Sequence, residues 1–344
     1  MDLNADGKLD ILSGCYDCLS EVDPNSQNMA GLFHVLYGKE DNKFSKAKVL
    51  EGTDGEPLIS GSPLATEDEM KKKEDFDEDN ATEEELEAFY SQGMDNFCTR
   101  PSAGDLNGDG FLDLVVGNAA GTFFMTKGTG KGEFDPTSIQ LKVNGKALRV
   151  SDKSDPCLVD WDADGDLDIV SGSGQGGVFL ATNVGSKTAP EFEQFEELVA
   201  PVGFDQFESK FGDEHIKGPS ASTRVCVADV NGDGALDLLV GDSVMLMYPA
   251  EGLDEKEVAE KLEVWEEKMN KVQAELMPKQ QLVFEKFNEL ADKDPEDREA
   301  MQAKLEEELN ELYKDIEPLQ EERSEIVREE MTGYVWVYYQ KSRK

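Results

Sequence analysis

Four short segments of the chain place carboxylate and amide side chains at alternate positions. They begin at Asp2, Asp105, Asp160 and Asp229 and read DLNADGKLDILSG, DLNGDGFLDLVVG, DWDADGDLDIVSG and DVNGDGALDLLVG. All four follow D-x-[DN]-x-D-G-x-x-D, and each continues into an apolar run that ends in Gly. Carboxylates this close in sequence repel one another. The spacing therefore predicts that a cation, rather than a side chain, lies among them.

The spacing also indicates which cation. Oxygens at positions 1, 3 and 5 of a tight loop converge on one point, Gly at position 6 allows the sharp turn, position 7 offers a backbone carbonyl, and position 9 returns a carboxylate. Flexible, all-oxygen coordination with several carboxylates suits Ca²⁺ better than Mg²⁺ or zinc. The alternative is a set of solvated acidic turns that hold no metal.

Position 12 separates the two calcium folds that begin in this way. A helix–loop–helix calcium site needs a bidentate Glu there, whereas this chain has Ser13, Val116, Ser171 and Val240. The segments that follow, such as LDLVVG and LDLLVG, are short, β-branched and Gly-ended, which is typical of strands. We therefore expect each loop to join two strands.

The sequence around each loop predicts a four-stranded unit. RPSAG, DPCLV and RVCVA precede loops two to four; GLFHVLYG, GTFFMTKG and GGVFLATN read as third strands, and SIQLKV and FEQFEELV as fourth strands. Four antiparallel strands per repeat make a blade, and repeated blades make a β-propeller. The expected fold class is all-β, a β-propeller with an inserted antiparallel α-helical coiled-coil hairpin.

The repeats resemble the FG-GAP or VCBS family, whose best-known members are the integrin α-subunit propellers. The resemblance covers about residues 1–250 and 333–340 and implies four Ca²⁺ sites, one per loop. The implied side-chain ligands are Asp2, Asn4, Asp6 and Asp10; Asp105, Asn107, Asp109 and Asp113; Asp160, Asp162, Asp164 and Asp168; and Asp229, Asn231, Asp233 and Asp237. The implied backbone ligands are Lys8, Phe111, Asp166 and Ala235. The first repeat lacks its leading strand and the last ends after its third, so we expect part of a larger propeller.

Residues 253–332 contain no glycine, although the chain has 31. Apolar residues recur in steps of three and four from Val258 to Leu276 and again from Leu305 to Ile326, which predicts two helical arms joined by a turn. Pro278 and Pro318 should kink the arms, and Arg323 falls on the seam between them. The expected domains are propeller blades over 1–252, the hairpin over 253–332, and a returning strand over 333–344.

Three other insertions accompany the hairpin. An acidic one at about 67–97 separates the first blade from the second and includes a short helix capped by Thr82 and Glu85. Another lies between the second and third strands of the first blade, and the last one precedes the fourth blade. In a four-stranded meander, the calcium loops lie at one end, and the second-to-third and blade-to-blade loops lie at the other. All four insertions therefore belong to the face opposite the calcium loops, where we expect a protein or carbohydrate ligand.

Composition restricts the function further. The formal net charge of −41 argues against nucleic acid or an anionic membrane as partner, and no apolar run is long enough for membrane insertion. His34 and His215 are the only histidines, and no catalytic motif is present, so we expect no enzyme activity. Cys15 and Cys18 indicate a local disulfide or two free thiols rather than a metal site.

Three functions stay open at this point. The first is a non-catalytic, calcium-stabilised binding or adhesion module in an extracellular, cell-surface or periplasmic location. The second is the propeller domain of a secreted polysaccharide-active enzyme. The third is a structural assembly protein that self-associates through the helical hairpin.

Overall fold

A computed structural model describes residues 1–24, 26, 28–66, 93–202, 211–213, 216–288, 295–314 and 316–340. The predicted helix at Thr82 and Glu85, most of the acidic insertion, His215 and the start of the turn between the helical arms lie outside these residues. Within them the chain is mostly β, arranged as consecutive antiparallel sheets with one helical insertion.

The first two sheets follow the predicted strand order. The first sheet consists of β1 (Ile11–Gly14), β2 (Phe33–Leu36) and β3 (Lys48–Val49). The second consists of β4 (Arg100–Gly104), β5 (Asp113–Gly117), β6 (Phe123–Gly130) and β7 (Glu133–Gln140). A separate two-stranded hairpin follows, β8 (Lys142–Val143) and β9 (Lys146–Ala147).

This small hairpin corrects the predicted fourth strand SIQLKV. The strand ends at Gln140, and the chain then turns at Asn144 and Gly145, whose φ angles are 52° and 80°. Asn-Gly tolerates positive φ at both central positions and is the common two-residue hairpin turn. The turn pairs Lys142–Val143 with Lys146–Ala147, so the last two residues of the predicted strand belong to this hairpin instead.

The third and fourth sheets repeat the same order. The third consists of β10 (Asp155–Val159), β11 (Asp168–Gly172), β12 (Val178–Ala181) and β13 (Glu196–Val199). The fourth consists of β14 (Ala221–Ala228), β15 (Asp237–Pro249), β16 (Val327–Thr332) and β17 (Val335–Tyr338). Strand β17 pairs with the first half of β15, as the predicted third strand should, and β16 pairs with the second half.

Each sheet packs its apolar face on the next. Phe33 and Val35 of the first sheet share a core with Leu114 and Val116 of the second. Val115 and Phe123 lie in a core with Ile169 of the third sheet, and Val170 and Leu180 pack with Leu238 and Val240 of the fourth. Because both faces of the middle sheets are covered, their second strands are buried throughout.

A glycine ends the second strand of each of the first three sheets, where the next sheet's backbone passes close by. A Cβ added at Gly117 would lie 2.7 Å from the Ser154 carbonyl carbon, and one at Gly172 would lie 2.7 Å from that of Thr223. Gly14 has the same relation to Thr99. Sheet-to-sheet packing therefore requires the glycine that closes the apolar run in the first three repeats.

A buried hydroxyl joins each pair of sheets at the same place. The N–H after each of these glycines donates to a side-chain oxygen of the next sheet: Cys15 to Thr99 (3.2 Å), Asn118 to Ser154 (2.8 Å) and Ser173 to Thr223 (2.8 Å). We call Thr99, Ser154 and Thr223 the latch residues. Each also donates its own backbone N–H to the carbonyl of the same partner.

The helical insertion comprises α1 (Glu255–Asn288), α2 (Pro295–Tyr313) and α3 (Glu317–Ile326). Lys286 contacts Glu308 (2.7 Å) near the tip and Lys268 contacts Glu322 (2.6 Å) nearer the base, so the two arms run antiparallel. The Trp265 indole N–H donates to the Leu319 carbonyl (2.6 Å). The helical character predicted for this segment is thus present.

One detail of the insertion, the conformation of residues 327–332, differs from the prediction. Pro278 lies inside α1, which continues for ten residues beyond it, whereas Pro318 lies in the first turn of α3, where a missing N–H costs little. Residues 327–332, predicted as helix, form β16, because the second half of β15 offers them a free edge. Arg323, predicted on the seam, lies over the Trp265 ring at 4.9 Å and pairs with Glu329.

Candidate functional site

The four acidic loops occupy equivalent places in the fold. The second, third and fourth join the leading strand of a sheet to its second strand, and the first leads directly into β1. The loops therefore form one edge of the stacked sheets, opposite the latch residues.

No described helix has the length and apolar character needed to cross a membrane.

Hydrogen bonds to the backbone fix the shape of each loop. In the third loop, Asp160 accepts from the N–H groups of Asp164 (3.0 Å) and Gly165 (3.1 Å), Asp162 accepts from Asp164 (3.2 Å), and Asp164 accepts from Asp166 (3.1 Å). In the fourth loop, the side chains of Asp229, Asn231 and Asp233 accept all of the corresponding hydrogen bonds. Positions 1, 3 and 5 therefore face the inside of the loop together.

The first and second loops follow the same pattern. Asp2 accepts from the N–H groups of positions 5 and 6, Asn4 from position 5, and Asp6 from Lys8. In the second loop the corresponding acceptors at positions 1, 3 and 5 are Asp105, Asn107 and Asp109. The hydrogen bond from the Phe111 N–H is the main cause that lowers the pKa of Asp109, and the Lys127 ammonium at 3.1 Å lowers it further.

The carboxylate at position 9 has a second role that the sequence did not predict. Asp168 is buried and accepts from the Trp161 N–H (2.8 Å) on one oxygen and the Asn183 N–H (2.8 Å) on the other. This ties the loop to the end of the third strand. The other position-9 carboxylates accept from two backbone N–H groups in the same way: Asp10 from Leu3 and Gly38, Asp113 from Leu106 and Gly128, and Asp237 from Val230 and Gln340. Burial raises the pKa of Asp113 and Asp168.

Two features of the loops bear on cation binding. Oxygens of Asp160, Asp162 and Asp168 lie within 4.8 Å of one another, the one such group of three acidic, His or Cys residues in the described part of the chain. In the second loop, one carboxylate oxygen of Asp105 is buried and has no hydrogen-bond partner. A hard cation bound by oxygen satisfies both features, so the donor set fits Ca²⁺.

The predicted backbone ligands take part in the loops through their N–H groups. Lys8, Phe111, Asp166 and Ala235 each donate to the position-5 carboxylate; coordination through their carbonyls stays a prediction. Asp166 differs from the other three because its own carboxylate is buried, with one oxygen lacking a partner. Burial, followed by the charges of Asp164, Asp168 and Asp162, raises the pKa of Asp166.

Sequence reasoning missed a group of residues at the opposite end of the sheets. Arg100, Asp155 and Arg224 each follow a latch residue, and together they line a concave site with Tyr16 and Lys153. The available signal was positional, since each begins or nearly begins a leading strand. Their shared register becomes visible only when the sheets are stacked. The predicted local pairing of Cys15 with Cys18 is present as a disulfide beside this site.

The loop-and-strand unit is also what comparison with known families detects. Residues 105–171 and 160–240 match the model of the FG-GAP-like repeat. Each match runs from the start of one acidic loop into the strand after the next loop, so it includes the last three strands of one sheet and the leading strand and start of the second strand of the next. No curated protein matches the chain. Residues 105–240 of this chain are therefore FG-GAP-like repeats.

Proposed function

We propose that the chain is a non-catalytic, calcium-stabilised β-propeller module that binds its ligand at the end opposite the acidic loops. The observation that carries the proposal is the loop geometry, repeated in all four loops, in which side-chain oxygens at positions 1, 3 and 5 accept hydrogen bonds from backbone N–H groups of their own loop. Fixed carboxylates without a cation repel one another, and Ca²⁺ removes this repulsion.

A propeller accounts for the way the sheets follow one another. The leading strands β4, β10 and β14 contact one another in order, and β1 contacts β4. Each sheet covers the next with an apolar face. Blades arranged in this way share an axis near their leading strands. The helical insertion projects from the fourth blade as a coiled-coil-like arm, and the proposed binding function does not depend on it.

The expected contribution of calcium follows from mass action. Extracellular calcium modules bind with Kd of about 10⁻⁴–10⁻³ M. At roughly 2 mM Ca²⁺ each site then contributes about 0.6–2 kcal/mol, and four sites contribute on the order of 3–7 kcal/mol. Total protein stability is typically about 5–15 kcal/mol, so removal of calcium should lower the melting temperature markedly.

The disulfide and the expected calcium affinity together indicate where the module acts. A local Cys15–Cys18 disulfide suits an oxidising compartment, and cytosolic calcium is too dilute to fill sites of this affinity. We propose that the module acts outside the cell or in a periplasm. The strongly acidic chain excludes nucleic acid as its ligand, since that partner needs basic surface.

The test is calorimetric melting of the full chain in calcium and in excess EGTA. Calcium should raise the melting temperature of wild type, and Asp160→Asn and Asp229→Asn should each reduce that increase. Asp41→Asn is the matched control, because Asp41 is exposed and lies outside the loops. An unchanged melting curve in EGTA would rule out the calcium role.

Terbium luminescence tests one loop by itself. Trp161 lies between Asp160 and Asp162 in the third loop, so tryptophan excitation should sensitise a Tb³⁺ ion bound there. Trp161→Phe should remove most of this emission, whereas Trp265→Phe in the helical insertion should leave it. Equal emission from the two variants would mean that Tb³⁺ does not bind in the third loop.

A further inference from the structure

A cavity of about 500 Å³ lies where the leading strands converge, at the end away from the acidic loops. Its wall is formed by the end of β1, the starts of β4 and β10, and the first part of β14. Ligand pockets in proteins usually have volumes of about 300–1,000 Å³. The cavity is therefore large enough for one or two sugar rings.

The lining of this cavity is basic in a chain that is strongly acidic. Three cationic residues, Arg100, Lys153 and Arg224, line the cavity together with one acidic residue, Asp155. Arg224 contacts Asp155 at 3.1 Å through one nitrogen and keeps 49% of its side chain exposed, whereas Asp155 is only 18% exposed. The accessible charge at the cavity is therefore that of the guanidinium rather than that of the carboxylate.

The second guanidinium is held in place by the protein. Arg100 donates to the Lys153 carbonyl (2.9 Å) and contacts the Cys98 sulfur (3.4 Å). Burial lowers the pKa of Arg100, and the Arg224 charge lowers it further. Asp155 also accepts from the Val225 N–H (3.3 Å). One carboxylate thus lies between two guanidiniums whose mutual repulsion a bound anion would reduce.

An exposed aromatic ring lies at the rim. Tyr16 is 62% exposed, yet its position is restrained: its ring packs edge-on against Phe97 at 5.2 Å between centroids, and Cys15 and Cys18 on either side are disulfide-bonded. Hydroxyl-bearing residues Ser13, Thr99 and Ser222 also line the cavity. A fixed aromatic face beside hydroxyl groups suits a ring-shaped, hydroxyl-rich ligand.

We propose that this cavity binds the carboxylate of an acidic sugar, a uronic acid residue, with Arg224 and Arg100 contacting the carboxylate and Tyr16 packing on the sugar ring. Arginine matches planar carboxylates through paired N–H donors. The proposal rests on the binding role proposed above, for which it names the ligand chemistry, but it requires neither calcium coordination nor the helical arm.

The test is calorimetric binding of trigalacturonate to the full chain in calcium, with its methyl ester as the uncharged comparison. Wild type should bind the acid and not the ester. Arg224→Gln should weaken binding at least tenfold, and Tyr16→Ala several-fold. Arg328→Gln is the matched control, because it removes the same charge from β16, away from the cavity, and it should bind as wild type does.

Several outcomes would overturn the proposal. They are no binding of trigalacturonate by wild type, equal binding of acid and ester, unchanged affinity of Arg224→Gln, or equal affinity for an acidic tripeptide, which would indicate a peptide ligand. Melting of the same samples in calcium and EGTA separates the two proposals. Calcium stabilisation without sugar binding contradicts only the sugar site, and sugar binding without calcium stabilisation contradicts only the calcium role.

Discussion

Substitution of Gly172 by alanine tests whether the closing glycine of each apolar run is set by packing between sheets. A Cβ at this position would overlap the Thr223 carbonyl and lie 3.0 Å from its side-chain oxygen. Extra atoms in a packed interior cost about 1–3 kcal/mol. Displacing Thr223 also weakens two buried hydrogen bonds, to Ser173 and Gly177, worth about 1 kcal/mol each. We expect a loss of about 2–5 kcal/mol.

Gly241 provides the matched control. It ends the same motif in the fourth sheet, but the atom nearest to an added Cβ is the Arg224 Cβ, at 3.9 Å. Gly241→Ala should therefore be neutral or stabilise by about 0.5–1 kcal/mol, since alanine loses less backbone entropy on folding. Urea denaturation in calcium measures both variants. If Gly172→Ala is as stable as Gly241→Ala, the packing explanation is wrong.

Three further variants follow from the same contacts. Thr223→Val should lose about 1–3 kcal/mol in urea denaturation because it leaves a buried N–H without an acceptor, whereas Thr188→Val, at an exposed site, should not; equal losses would contradict the latch. Asp168→Asn should lower the melting temperature even in EGTA, because the amide replaces one of the two oxygens that accept from backbone N–H groups by a donor; Asp162→Asn should lower it only in calcium, and identical behaviour of the pair would contradict the bridge. Replacing residues 255–326 with a short Gly-Ser linker should preserve the calcium-dependent melting transition, because Pro249 and Val327 already pair; its loss would show that the arm supports the sheets.

Much of the β structure could be predicted because the same acidic loop and apolar run occur four times in the sequence. The predicted leading, second and third strands around the acidic loops are present, from β4 to β17. Alternation and β-branched residues mark each strand, and the acidic loop marks its end. Helical periodicity and the absence of glycine likewise predicted the insertion between β15 and β17.

Tertiary contacts determine the secondary structure of the segments that the sequence pattern assigned wrongly. Residues 327–332 carry three charged side chains and continue a helical rhythm, yet they pair with the second half of β15. Val327 there packs with Val258, Leu262 and Ile326 at the base of the arm. Because a free strand edge and an apolar base are both created by residues distant in sequence, local propensity does not reveal them.

The loops show a similar limit. Spacing identified every acidic position, but it did not distinguish the carboxylates that face the inside of the loop from the buried one at position 9. That distinction depends on the Gly128 and Asn183 N–H groups, near the end of the third strand, which donate to Asp113 and Asp168 from 15 residues further along the chain. A pattern confined to one loop contains no information about this partner.

The latch residues explain how the sheets produce a site that no motif encodes. Each latch fixes the backbone of a leading strand against the preceding sheet, and the next residue is then directed to the shared cavity. In three consecutive sheets these residues are Arg100, Asp155 and Arg224. The packing contacts use a glycine, a hydroxyl and backbone groups, and they place no demand on the type of the following side chain. The chemistry of the cavity is therefore free to vary at one register position while the stacking of the sheets, and the acidic loops at their other end, stay the same.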